Sequence, residues 1–175
     1  MQVCVSREYL ILLAGLIKCM KKKLKWILAV LVVVVVFALF QLANPARTNP
    51  PVVNDLMASS PPPASVATML HAACYDCHSN ETKWPWYSHI APVSLLVASD
   101  VNEGRRNLNL SDWPTDPMRA AKRLEDMSEK IGYDEMPPGK YTAIHRDARM
   151  TDDQRKVLTG WLDGEAARLK AQAAK

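Results

Sequence analysis

The hydrophobic pattern divides the chain into an unbroken apolar run, a proline-rich stretch and a long region of helical periodicity. From Trp26 to about Pro45 there is no charged residue, and Ile27 to Phe40 is apolar throughout. Coiled as a helix, roughly 20 residues at about 1.5 Å each reach about 30 Å, one bilayer core. Residues 26–45 therefore read as a transmembrane anchor. Next come Asn44-Pro45, Asn49-Pro50-Pro51 and Pro61-Pro62-Pro63. Prolines at this density block helix and favour an extended chain, so residues 46–63 read as a linker. Residues 64–175 are long enough for one small core and carry no apparent internal repeat.

Within 64–175 the periodicity is helical. Ser65 is a candidate cap for a helix carrying Val66, Met69, Leu70 and Ala73, which leads directly into Cys74. Asp116-Pro117 offers an N-cap with proline in the first turn, Leu124, Met127 and Ile131 form an apolar stripe, and Gly132 can end that helix. Thr151-Asp152-Asp153-Gln154 reads as a capping box, followed by Val157, Leu158, Trp161, Leu162 and Leu169 on one face. Strand-like alternation is missing. The fold class expected is all-α: one N-terminal transmembrane helix and then a compact helical domain.

Charge changes the picture mainly at the N-terminus. The formal net charge of +4 comes from 22 basic and 18 acidic residues. Arg7, Lys18, Lys21, Lys22, Lys23 and Lys25 against Glu8 give +5 before residue 26, so the remainder is −1. No basic face is left to bind nucleic acid. The lysines preceding the apolar run read as positive-inside, with residues 1–25 cytoplasmic and everything after residue 45 across the membrane. A cleaved signal peptide would share these features, but Gln41-Leu42-Ala43 sets a long polar side chain where a cleavage site wants a small one, which favours a retained anchor. Met20-Lys21-Lys22-Lys23 resembles an ordinary start, so Met20 is the expected initiator. If the longer form is made, Cys4 and Cys19 lie on the reducing side.

The chemistry concentrates in Cys74-Tyr75-Asp76-Cys77-His78. Two thiols three positions apart share one side of a helical turn, where each can bond one vinyl-derived carbon of a porphyrin while the adjacent imidazole reaches the iron. A thioredoxin-like pair needs a βαβ context, and a zinc site needs a second ligand pair; the sequence offers neither. One covalently attached haem c, held by Cys74, Cys77 and His78, is the expected cofactor.

The wider pattern resembles the bacterial haem-binding domain family of small membrane-anchored c-type cytochromes. The matching residues are Cys74 to Thr82, Trp84-Pro85-Trp86-Tyr87, Ala91-Pro92-Val93-Ser94, Asp100 to Gly104-Arg105, Asn109-Leu110-Ser111-Asp112-Trp113, Met136-Pro137-Pro138 with Tyr141 and His145, and Trp161. The resemblance covers about Gln41 to Gly164. It implies a cytochrome c-like fold, a single covalent haem and a periplasmic domain on the bacterial inner membrane. For the sixth iron position Met136 is the leading candidate: its position resembles the family's methionine, and Pro137-Pro138-Gly139 gives it a rigid, non-helical setting. His145 or His89 would instead give a bis-histidine site, and Met127 reads as core filler. Arg105 and Arg106 are candidate partners for a haem propionate or solvated loop residues. The tryptophans read as pocket walls or loop packing.

Two function classes follow. A filled sixth position favours electron transfer with periplasmic or inner-membrane redox proteins over catalysis. A displaceable Met136 would instead suit a haem sensor or a low-activity peroxidase.

Overall fold

The computed structural model describes residues 7–43 and 45–175, with side chains from residue 16 onward; Cys4 and Asn44 lie outside the described residues. Those residues are all-helical, and the one β feature among them is an isolated parallel bridge between Asn54 and Asp112. Helix α1 (Arg7–Phe40) is a single continuous rod. Leu16–Phe40, 25 residues with no buried share, is long and apolar enough to cross a membrane. Compared with the expected 26–45, the helix stops five residues early. Proline at 45 disfavours α geometry in the residue before it, and the chain turns at Gln41 and Leu42. The apolar length is made up on the N-terminal side, where lysine stems can lie along the helix with their ammonium groups in water.

The proline-rich segment is not a free spacer. Val53 N–H and Asn54 N–H donate to Ser111 O, Trp113 N–H donates to Asn54 O, and Leu56 N–H donates to Leu110 O. Asp55 caps the short helix α2 (Leu56–Ser59) by accepting from Met57 N–H at 2.8 Å. Leu56 is fully buried with the core. The strap therefore belongs to the domain from about residue 48, because its backbone groups and Leu56 find partners there that water would otherwise supply.

Helix α3 (Ala64–Leu70) begins one residue before the expected cap. Pro63, at ψ 150°, is the N-cap, and its carbonyl accepts from Ala67 N–H. Ser65 lies inside the helix because proline's fixed φ already sets the entry. The chain widens into a π-helical turn (His71–Tyr75), which carries Cys74, and closes as α4 (Asp76–His78), which carries Cys77 and His78. Such bulges occur often at functional sites.

Helix α5 (Val93–Asn107) packs on α4, and α6 (Pro117–Gly132) pairs with α8 (Asp152–Ala173). Both local start signals hold: Asp116 accepts from Arg119 N–H, and Thr151 and Gln154 form a reciprocal capping box. Gly132 is the last helical residue, yet the left-handed position after it is Asp134 (φ 57°). Leu124 meets Leu158 and Leu162 in one core, all fully buried and each contributing about 2 kcal/mol. Val157, expected on the buried face of α8, is half exposed; the face runs through Leu158, Leu162, Ala166 and Leu169. Between α6 and α8 lie a loop and the short helix α7 (Gly139–Ile144).

Candidate cofactor site

Helices α4, α5 and α6 surround a cavity of about 470 Å³ whose floor is Ala73, Leu108, Met127 and Ile131. Cys74, His78 and Met136 also line it, and Arg123, Asp126, Lys130 and Glu135 ring the mouth. A smaller lobe of about 260 Å³ shares Ala73, His78, Asn107 and Met136 with it and adds Cys77, Gly104 and Pro138. Cys74 and Cys77 thus border adjoining cavities that both include His78 and Met136; the larger is mainly apolar with a charged rim and of the size cofactor pockets have.

The imidazole is held from behind. His78 Nδ1 lies 3.0 Å from Gly104 O and 3.1 Å from Leu108 O. Both partners are carbonyls, so Nδ1 carries the proton and Nε2 keeps its lone pair, on a residue that lines the cavity. A donated Nδ1–H is the usual device for orienting a metal-binding histidine. The close approach of α5 that makes this possible depends on Gly104: a Cβ there would stand 2.5 Å from Cys77 O.

Burial pushes the Cys74 thiol up to about 12, with Cys77 adding to it, and pushes Cys77 up to about 11, with Asp100 and Asp76 adding to it. Redox-active Cys-x-x-Cys pairs and zinc thiolates need the opposite shift. The site favours uncharged sulfur, which is what a thioether to a porphyrin provides. Together with the bare Nε2 and the apolar floor, this donor set fits a haem.

The two residues between the cysteines, to which the sequence assigns no role, fasten the turn on both sides. Tyr75 O–H donates to the Asp55 carboxylate at 3.1 Å, and burial, reinforced by Asp55, raises its pKa. Asp76 accepts from Tyr141 O–H at 2.8 Å and from Lys83 N–H at 3.1 Å. Behind the turn, Leu110 N–H donates to His78 O, Asn80 N–H to Ser111 Oγ, and Asn109 Nδ2 to Asn80 Oδ1. The Asn109–Trp113 motif is therefore a clasp on the end of α4.

Arg105 has a different role from the propionate contact considered for it. Its guanidinium donates to Ser79 O (2.7 Å), Thr48 O (2.8 Å), Asn49 Oδ1 (2.9 Å) and Thr82 Oγ1 (2.8 Å), tying the strap to the attachment turn. Arg105→Ala should lower stability by about 2–3 kcal/mol and the melting temperature by roughly 10 °C, and it should open residues 48–54 to protease. Lysine, with one compact head, should recover less than half of this. Thermal melts with limited proteolysis check both. The cations that do line the cavity mouth are Lys130 and Arg123; the latter lies four residues before Met127 on the same face of α6, with Nη1 2.7 Å from Asn107 O.

The alternative histidines lie elsewhere. His145 uses both ring nitrogens, Nε2 with Tyr87 O–H at 2.9 Å and Nδ1 with Tyr141 O at 3.1 Å, and it lines a cavity of about 300 Å³ on the Cys77 side, away from the cavities that His78 borders. His89 and His71 are exposed. Trp113 is buried in the core, Trp84 donates to Asn49 Oδ1, and Trp86 is 75% exposed; none of the three borders the space around His78.

Comparison with known proteins gives the arrangement its context. The profile of a haem-binding domain matches residues 34–164, three quarters of the chain. The chain belongs to the haem-binding domain family. That span includes the end of α1 and the strap as well as the helical domain. The cytochrome c peroxidase Ccp of Escherichia coli (strain K12) is 26% identical over 98 residues, 54% of this chain and 21% of that protein. The family member described here thus spans about a fifth of the length of that relative. No solved structure matches.

Proposed function

We propose that this haem-binding domain is a membrane-tethered c-type cytochrome that carries single electrons between periplasmic or inner-membrane redox proteins. In this reading one haem is bonded through Cys74 and Cys77, and its iron is held by His78 and Met136. The supporting observation is the His78 ring: two carbonyls fix its tautomer and leave Nε2 free at a cavity that Met136 also borders. When bound, the haem supplies the reversible one-electron couple of its iron. The chain contributes position and environment. Gly104 O and Leu108 O hold the imidazole, Met127 and Ile131 exclude water, and Arg123 and Lys130 offer cations to carboxylates at the mouth. Helix α1 serves as a single-pass anchor with its lysines in the cytoplasm.

A second reading, a peroxidase or sensor in which Met136 leaves the iron, is favoured by the similarity to a cytochrome c peroxidase and by the partial exposure of Met136, at 36%. The test is made on protein from cells competent in c-type haem attachment. Haem that stays with the chain through denaturation, at one per chain, together with a reduced form that ignores carbon monoxide, is the expected result. Haem released on denaturation would end the covalent reading, and rapid carbon monoxide binding would transfer the case to the sensor or peroxidase.

A further inference from the structure

Trp84 to Ser99 is a run of 16 residues without Asp, Glu, Lys or Arg in the otherwise highly charged helical domain. It forms a 3₁₀ turn (Trp86–His89), a bend at Ala91 and the first two turns of α5. The core does not absorb its apolar side chains. Trp86 is 75% exposed, Leu96 52%, Val93 42% and Ile90 39%. Such a patch on a soluble face is unusual and marks a contact surface.

The end of α1 shows what the patch meets. Gln41, directly after the last helical residue, donates from Nε2 to Ala91 O and accepts at Oε1 from Ala91 N–H, both at 3.1 Å. A side-chain amide paired in both directions with one peptide holds the Ala91 bend beside the point where α1 leaves its apolar stretch. Ile90 and Val93 lie on either side of Ala91 in sequence, and Trp86 and Leu96 within one further turn, so the patch lies beside the end of α1.

We propose that the face formed by Trp86, Ile90, Val93 and Leu96 seats on the phospholipid surface of the same bilayer that α1 crosses. The inference rests on the membrane-anchor reading. Aliphatic side chains would enter the boundary between headgroups and acyl chains, and the Trp86 indole would lie at headgroup depth with its N–H in the wet layer. The run itself carries no acid to repel anionic headgroups, and beside Val93 and Leu96 the acids Asp76 and Asp100 are accompanied by Lys83 and by Lys140, which pairs with Asp100. Seating on this face would fix the height of the cofactor, since Val93, Leu96 and Cys77 line one cavity of about 300 Å³.

Spin labels on the full-length, haem-loaded chain in phosphatidylcholine and phosphatidylglycerol nanodiscs test this, with Cys4 and Cys19 replaced by serine. Labels at Ile90→Cys and Leu96→Cys should collide more with oxygen than with a water-soluble nickel chelate. A label at the exposed Val157→Cys on α8 should show the reverse, and one at Val34→Cys in α1 should be deepest. Adding Trp86→Glu should return the Ile90 label to water while leaving Val34 in lipid. Val34 in lipid with Ile90 in water in the parent chain overturns the seating alone, whereas Val34 in water overturns the anchor reading. Protection of Ile90 from both reagents would mean that protein covers the face, and this too would overturn the proposal.

Discussion

Gly104→Ala should lower stability by about 1–3 kcal/mol, whereas the same change at Gly160 should raise it by about 0.5–1 kcal/mol. Both glycines lie inside helices, where alanine is ordinarily better by about 1 kcal/mol. The difference is in their surroundings. A Cβ at Gly160, on the exposed face of α8, meets nothing within 4 Å. At Gly104 it would stand 2.5 Å from Cys77 O and 3.0 Å from Cys77 C, backbone atoms of the turn that carries both thiols. That carbonyl cannot rotate aside as a long side chain could, so α5 must retreat. The retreat takes Gly104 O away from His78 Nδ1, where it now accepts at 3.0 Å. Gly104→Ala should therefore also alter the haem potential, a change that a purely structural defect on α8 would not produce. Thermal melts and redox titrations of the two variants decide it. A Gly104→Ala protein that melts at or above the wild type would sink the close-approach argument.

The same residue marks the boundary of what the sequence discloses. Helix starts at Asp116-Pro117 and Thr151-Gln154 are legible because the capping side chain and the N–H that donates to it lie within three residues of each other. The Cys-x-x-Cys-His motif is conspicuous for the same reason, its residues being packed into five positions. Gly104 and Arg105 answer to partners 23 to 57 residues away, and nothing local distinguishes a glycine required for close approach from one that is merely tolerated. The docking of the strap is hidden from the sequence for a related reason. Proline density predicts an extended backbone correctly, but it does not say that Asn49, Pro51 and Asn54 will find hydrogen-bond partners on Thr82, Asn80 and Trp113. Val157 and Ser65 were assigned by periodicity and propensity alone, and packing and the preceding proline outweighed them.

Met136→Ala should convert the iron to a high-spin, carbon monoxide-binding form, and Met136→His should keep it low-spin at a markedly lower potential. A thioether is soft and favours the ferrous state, whereas a second imidazole favours the ferric one. The drop should be a sizeable part of the about 0.8 V over which axial ligands tune haems. The loop that carries Met136 is set by more than its prolines. Glu135 N–H and Met136 N–H both donate to Lys130 O, at 3.0 and 3.2 Å, which ties the loop to the end of α6. The Lys130–Glu135 ion pair at 2.7 Å is exposed and screened by solvent, so it adds little. Met127 provides the control, because it borders the same cavity yet is 6% exposed and packed among Leu124 and Ile131. Met127→Leu conserves volume, so it should cost less than about 1.5 kcal/mol and leave the spectrum unchanged. Optical spectra of both oxidation states, with and without carbon monoxide, separate the outcomes. If Met136→Ala stays low-spin at the wild-type potential, another side chain holds the iron, and the electron-carrier reading would have to be rebuilt on that ligand.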